Sequence, residues 1–397
     1  MLKAKLERMH IGFFGRMNVG KSSIINLIAN QNVSIVSNIA GTTTDSVEKI
    51  MELVPLGPVV LIDTAGMDDF SILGEERKKK TNNVFRKCDF AFIIVEPNIW
   101  SEYEDEVVNN LKYFDVPYAI IINKIDNLNA TDNFNDKLIT YTKDIISVSA
   151  TCSEKNIFIK SFTEIISNRF NSIPEINMFD GLLESGDVCL FVTPIDTGTP
   201  KGRMILPQVQ ALRAILDMNS ICLFVQLAEY QKALLELKTL PKLIVADSQV
   251  IKEVIELSFP DQNITTFSIL FARLKGDFRV EIQGAYRLNE ITEKDIILIA
   301  EACSHHAQKD DIARVKLPAL LKKHLKFTPQ IEHCNGRDFP DDIEKYNLII
   351  HCGACMLTHK EKLNRVKIAI DNDVPITNFG MAISFLNGYM DRVLSCF

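Results

Sequence analysis

A chain of 397 residues is too long for one ordinary hydrophobic core, and its 47% hydrophobic and 24% charged content predicts two or three folded domains rather than disorder. The net charge of −7 leaves no general basic footprint, so no nucleic-acid partner is expected. Charges at the start, Met1 to Arg8, and the lack of any apolar run near the roughly 18 residues of a membrane span predict neither secretion nor membrane insertion, and imply a cytoplasmic protein.

Taken in chain order, Ile11-Gly12-Phe13-Phe14 is a short apolar strand that runs into Gly15-Arg16-Met17-Asn18-Val19-Gly20-Lys21-Ser22 and then a helical pattern. Strand, glycine loop and helix are the context in which backbone N–H groups wrap phosphates, so Gly15, Asn18, Gly20, Lys21, Ser22 and Ser23 become candidate nucleotide contacts. Lys21 would reach the β- and γ-phosphates and Ser22 would ligate Mg²⁺. Within Gly41 to Asp45, Thr43 can supply a second magnesium and γ-phosphate contact. A further buried strand, Val59 to Ile62, ends in Asp63-Thr64-Ala65-Gly66, where Asp63 would contact the metal through water and Gly66 is a further candidate nucleotide contact. Two more apolar strands follow, Phe90 to Val95 and Tyr118 to Ile122, the second ending in Asn123-Lys124-Ile125-Asp126. The Asp126 carboxylate can accept from the N1–H and N2–H₂ of guanine, a donor pair that adenine lacks; Asn123 and Lys124 complete that loop, and Ser149 with Ala150 adds the last base contact. GTP and GDP are the expected ligands, with Lys21, Thr43 and Asp63 as the catalytic set.

These five segments resemble the small GTPases related to translation factors, in the group that includes the tRNA-modifying GTPase MnmE and Era. Met67 stands after Gly66 where a water-orienting glutamine would be expected, so hydrolysis should be slow. In the MnmE-like group the residue matching Asn18 ligates K⁺, which takes the charge-neutralising place of an arginine finger, and the resemblance implies that role for Asn18.

Beyond Ile173-Pro174-Glu175 the pattern restarts. Asp187 to Thr193, Ser220 to Val225 and Lys242 to Ala246 read as buried strands separated by helical stretches, which predicts a small parallel sheet. It carries no P-loop, nucleophile pair or ligand cluster, so a role in joining subunits as a homodimer is expected. Cys189 and Cys222 lie inside apolar runs and read as core filler.

After Lys275-Gly276-Asp277 comes a third set of strands, Ile296 to Ala300, Gln330 to His333 and Leu348 to Ile350, with helices over Ile312 to Leu325 and Glu361 to Ile370. Cys303 follows the first of these strands; Cys352 and Cys355 follow the last, on the edge where open α/β sheets bind ligands. Two thiols at Cys-x-x-Cys spacing and a third from a neighbouring strand end suit a thiolate-bound metal or iron–sulfur cluster. His305 and His351 are adjacent candidates, either as ligands or as supporting donors. Cys334 has no partner at ligand spacing, and Cys396 is next to the terminus.

Cys303-Ser304-His305, then 45 intervening residues, then His351-Cys352-Gly353-Ala354-Cys355, all behind an MnmE-like GTPase, resembles the HydF family of [FeFe]-hydrogenase maturation GTPases. The resemblance covers the whole chain. It implies an α/β protein with a P-loop GTPase domain over residues 1–172, a dimerisation domain over 173–275 and an iron–sulfur domain over 276–397. It further implies a [4Fe–4S] cluster on Cys303, Cys352 and Cys355, a transient two-iron precursor as cargo, and apo-[FeFe]-hydrogenase and radical-SAM maturases as partners. Two other readings stay open on residues alone: a tRNA-modifying or ribosome-assembly GTPase with a structural zinc site, and a redox enzyme using Cys352 and Cys355 as a dithiol.

Overall fold

The computed structural model describes residues 8–29, 35–39, 47–64, 83–149, 155–170, 177–195, 204–302, 311–336, 339–354 and 357–397. Packing divides the chain into two units, Met1–Pro174 and Glu175–Phe397.

In the first unit β1 (Met9–Phe14), β2 (Ile35–Ile39), β3 (Val47–Leu53), β4 (Gly57–Asp63), β5 (Phe90–Val95), β6 (Tyr118–Ile122) and β7 (Ile145–Ser147) form one sheet, in the order β2-β3-β4-β1-β5-β6-β7. Only the β2–β3 and β3–β4 pairs are antiparallel. The central strands read as unbroken apolar runs because both faces are covered: Ile11, Phe13, Phe92, Ile93 and Ile120 are all fully buried. The described helices include α1 (Lys21–Ala29), α2 (Glu102–Tyr113), α3 (Asp132–Ile139) and α4 (Lys155–Phe170), and residues 83–87 are helical as well. Helix α4 lays Phe158, Phe162 and Ile166 on the sheet, with Phe162 stacked on Phe92 at 4.5 Å between ring centroids.

Register then sets the position of each strand end. Phe13 pairs with Asp63, Val95 with Ile122 and Ile122 with Ser147, so the loops after β1, β4, β6 and β7 emerge along one edge.

The second unit begins with β8 (Val188–Val192), α5 (Leu206–Asp217), β9 (Ile221–Val225), α6 (Leu227–Glu236), β10 (Leu243–Ala246), α7 (Ile251–Leu257), β11 (Ile264–Thr266) and α8 (Phe267–Lys275). Helix α9 (Phe278–Tyr286) leads into β12 (Ile296–Ala300), α10 (Leu317–Leu325), β13 (Gln330–Cys334), β14 (Leu348–His351), α11 (His359–Asp371), β15 (Ile376–Asn378), α12 (Phe379–Leu386) and α13 (Met390–Leu394). A π-helical turn, Ile312–Lys316, precedes α10. The unit holds two wholly parallel four-stranded sheets, β11-β10-β8-β9 and β13-β12-β14-β15. Strands β11 and β15 have three residues each, too short to stand out as apolar runs. Among the described residues no helix is long and apolar enough to cross a membrane.

Candidate nucleotide and thiol sites

The loop after β1 closes tightly on its neighbours. Gly15 has φ of +152° and a Cβ there would lie 2.5 Å from the Ile94 carbonyl oxygen; one on Gly20, at φ +99°, would lie 2.3 Å from the Asn123 amide nitrogen. No larger residue fits at either position. Lys21, 8% exposed, arches back over this loop and donates from Nζ to the carbonyls of Gly15 and Arg16, both at 2.7 Å. Ser22 donates from Oγ to Asp63 Oδ2, so the two expected magnesium-side groups touch. Burial raises the Asp63 pKa above the usual carboxylate range, opposed by the Ser22 hydrogen bond and the charges of Lys21 and Lys49. Ser23 is exposed at the start of α1.

The guanine-side loop is tied to the phosphate loop by backbone recognition. Asn123 Nδ2 donates to the Val19 carbonyl at 2.8 Å, and Lys124 Nζ donates to the Asn18 carbonyl at 2.7 Å and to Glu96 Oε1. Asn18 itself sits in the left-handed region at φ +64°. Asp126 is exposed, and Ser149 is buried at 6% exposed. Thr43, Gly66, Met67 and Ala150 lie outside the described residues.

Three side chains at this site escape a motif reading. Arg16 Nε and Nη2 grip Glu104 at 2.8 and 2.9 Å, and Glu104, at 1% exposed, is the N3 residue of the capping box that starts α2 at Ser101. The Ser101-x-x-Glu104 spacing was the available signal for the box, though not for its partner in the phosphate loop. Glu96, which holds Lys124, carries no pattern at all.

In the second unit β12 and β14 are adjacent, with Ala300 opposite His351, so the chain leaving each strand emerges side by side. Cys352 N–H donates to the Ala300 carbonyl at 2.8 Å, and Ala302 N–H donates to Cys352 Sγ at 3.0 Å. Cys352, Ala302, Ala354 and Leu357 pack together, with Ala354 fully buried in the left-handed region at φ +54°. A sulfur at a strand end that accepts a backbone N–H is the environment a metal-bound thiolate takes, so this thiol fits an iron–sulfur ligand. Cys303, His305 and Cys355 lie outside the described residues, and among the described residues no three His, Cys, Asp or Glu side chains gather as a metal site.

His351, expected either as a ligand or as a supporting donor, is held on both sides of its ring. It is fully buried, its Nδ1 lies 2.7 Å from the Cys352 carbonyl and its Nε2 lies 3.0 Å from Arg365 Nη1. Since the guanidinium can only donate, the ring carries its proton on Nδ1 and accepts at Nε2. Both ring nitrogens are engaged, so in this structure His351 braces the thiol loop. Burial, with the Lys362 and Arg365 charges, pushes its pKa well below the ordinary histidine value. Arg365, 3% exposed, also donates to the Gly336 carbonyl at 2.7 Å and lies over the Phe339 ring. Arg365 falls 14 positions beyond His351 on another element, and nothing local in the sequence pairs them.

Comparison with known proteins extends these observations to the whole chain. GTPase Era from Buchnera aphidicola is 30% identical over 168 residues, covering 41% of this chain and 58% of that protein. GTPase Der from Campylobacter hominis is 29% identical over 174 residues, covering 44% of this chain and 38% of that protein. The chain thus spans well under two thirds of either relative. An Aquifex aeolicus Era variant solved with GDP and AlF₄⁻ aligns at a TM-score of 0.33 and 17% identity, covering 62% of this chain and 97% of that one. Residues 10–124 match the family model of a 50S ribosome-binding GTPase, residues 178–276 the hydrogen maturase F dimerization domain, and residues 279–396 the hydrogen maturase F tetramerization domain. A GTPase domain followed by both of these domains, which leave little of the second unit unmatched, means that the chain belongs to the hydrogen maturase F (HydF) family.

Proposed function

We propose that this protein is a GTP-hydrolysing scaffold of [FeFe]-hydrogenase maturation, which binds a [4Fe–4S] cluster and delivers a two-iron precursor to the apo-hydrogenase. The observation that supports this reading is the Cys352 thiol at the end of β14, beside the end of β12 and within the stretch that matches a hydrogen maturase F domain. Cys352 is one ligand; in sequence Cys303 comes three positions after the last residue of β12, and Cys355 three positions after Cys352. A cluster held by three cysteines keeps one iron open to an exchangeable ligand, which suits a carrier better than a dedicated electron-transfer protein. Radical-SAM maturases would supply the precursor. The 50S ribosome-binding match stops at residue 124 and does not reach the thiols, so it gives the ribosome-assembly reading little support.

The GTPase unit would serve as the switch. Lys21, Ser22 and Asp63 hold the phosphates and Mg²⁺, with Thr43 completing the metal shell, and Asn123, Lys124 and Asp126 select guanine. Assembly follows the descriptions of both matched domains, and β9 offers the surface for a homodimer. This edge strand is apolar throughout, with Ile221 52% and Phe224 37% exposed beside the exposed Leu206, Val209 and Leu216 of α5.

Anaerobic reconstitution followed by iron and sulfide analysis, with EPR of the reduced protein, tests the cluster. Cys303→Ala, Cys352→Ala and Cys355→Ala should each strongly lower cluster content and abolish hydrogenase activation while leaving GTP hydrolysis largely intact. A Cys352→Ala protein that takes up a full cluster and activates hydrogenase refutes the assignment.

A further inference from the structure

The two sheets of the second unit have the same strand order and share more than topology. Ile264-Thr265-Thr266-Phe267 through Leu274-Lys275-Gly276 matches Ile376-Thr377-Asn378-Phe379 through Leu386-Asn387-Gly388 without a gap. Thr266 caps α8 by accepting from Ile269 N–H, and Asn378 caps α12 by accepting from Met381 N–H. The turn before β8 is closed by Glu184 N–H on Asp187 Oδ2, and the turn before β12 by Thr292 N–H on Asp295 Oδ2. At the switch-point strands Asp247 N–H donates to the Val192 carbonyl, as Cys352 N–H does to Ala300. Both α5 and α10 open with a proline in the first turn.

The terminal helix of each half packs on the other half. Helix α9, which follows α8, lies on β15: a Cβ on Gly284 would come within 2.0 Å of the Ile376 carbonyl oxygen. Helix α13, which follows α12, buries Met390 and Val393 with Leu190, Val192 and Ile264 of the first sheet. Helices α8 and α12 meet at matching positions, since a Cβ on Gly380 would lie 2.2 Å from the Ser268 Cβ. This is the self-complementary contact of a two-fold pair, formed within one chain.

The exchange brings charge from the first half to the thiol loop. Lys275, at the end of α8 and 2% exposed, donates from Nζ to the Leu357 carbonyl at 3.2 Å, and Leu357 packs against Cys352. Glu281 on α9, fully buried, accepts from Asn378 Nδ2 at 2.7 Å and lies 2.9 Å from Lys362 Nζ on α11, the helix that follows the loop. An ion pair this deeply buried is maintained only when both charges are in place, so its geometry fixes α11 against α9.

We propose that residues 175–397 are a tandem duplication with exchanged terminal helices, and that Lys275 at the end of α8 and Glu281 on the exchanged α9 are positioning residues for the Cys352 loop, so that the cluster half is incomplete without the half before it. Where it concerns the cluster, the proposal rests on the function inferred above. The test uses full-length protein carrying Lys275→Met, Lys275→Arg or Glu281→Gln; the last keeps the size of the side chain and its hydrogen bond to Asn378. In the cluster-free protein, amide exchange in the peptide carrying Cys352 and Leu357, and the rate of Cys352 alkylation, should each rise about ten-fold for Lys275→Met and Glu281→Gln, with Lys275→Arg restoring much of the protection. In reconstituted protein the same two variants should lose iron faster, with GTP hydrolysis unchanged. Exchange and alkylation at wild-type rates in both Lys275→Met and Glu281→Gln overturn the proposal. If instead wild-type protein takes up no iron while the variants still loosen the loop, the cluster reading fails and the brace stands.

Discussion

Glu104→Ala tests whether α2 holds the phosphate loop. The Glu104 carboxylate accepts from Arg16 Nε and Nη2 and from the Ser101 N–H at 2.7 Å, with its side chain 2% exposed and that of Arg16 28% exposed. Removing one partner of a fully buried pair costs about 3 to 5 kcal/mol. Partial exposure of Arg16 lowers that to about 2 kcal/mol, because water re-solvates the freed guanidinium. Loss of the reciprocal cap adds about 1 kcal/mol, for a total near 3 kcal/mol. The chain has one tryptophan, Trp100, whose indole N–H donates to Asp105 at 2.9 Å and whose ring lies 4.5 Å from that of Tyr141, so its fluorescence reports on the first unit alone. Urea unfolding followed at Trp100 should show the full loss for Glu104→Ala and about half for Glu104→Gln, which keeps the cap acceptor but not the charge. GDP should also bind more weakly, because the Arg16 carbonyl that holds Lys21 is no longer anchored. Unfolding within about 0.5 kcal/mol of wild type, together with unchanged GDP affinity, would refute the reasoning.

Competition binding should give GTP and GDP a large preference over ATP, with Asp126→Asn shifting it toward xanthine nucleotides; equal affinity for ATP and GTP would remove guanine selection from Asp126. Hydrolysis should run faster in K⁺ than in Na⁺ buffer and lose that difference in Asn18→Ala, whereas identical rates in both salts for both proteins exclude a potassium role. Arg365→Gln strands the His351 Nε2 and the Gly336 carbonyl, which should cost the cluster-free protein about 2 to 3 kcal/mol in circular-dichroism unfolding of the second unit; no loss would mean the brace bears no load. Phe224→Glu on β9 should yield a smaller species by light scattering, and an unchanged mass would move the subunit contact off this edge.

Local chemistry was legible where a function is written in consecutive residues. The glycines of the phosphate loop, the Asn123 to Asp126 segment and the Cys352-x-x-Cys355 pair each sit at a strand end whose apolar run is visible in the sequence, because a strand covered on both faces needs an unbroken run. From this alone came the α/β class, the GTPase domain and the parallel sheets that follow it. Strands β11 and β15 were not visible: three residues carry no periodicity, and what makes them strands is pairing with β10 and β14. The bond between Arg16 and Glu104 spans 88 positions and that between Asn378 and Glu281 spans 97, so no window of sequence contains either pair. The role of His351 was decided in the same way. Adjacency to Cys352 left it open as a ligand or a supporting donor, and only the packing shows that both its nitrogens are engaged, one with the Cys352 carbonyl and one with Arg365 on α11. The halves of the second unit echo each other in sequence, but only packing shows that α9 and α13 cross over, since which sheet a short helix covers depends on which apolar edge the folded chain leaves open.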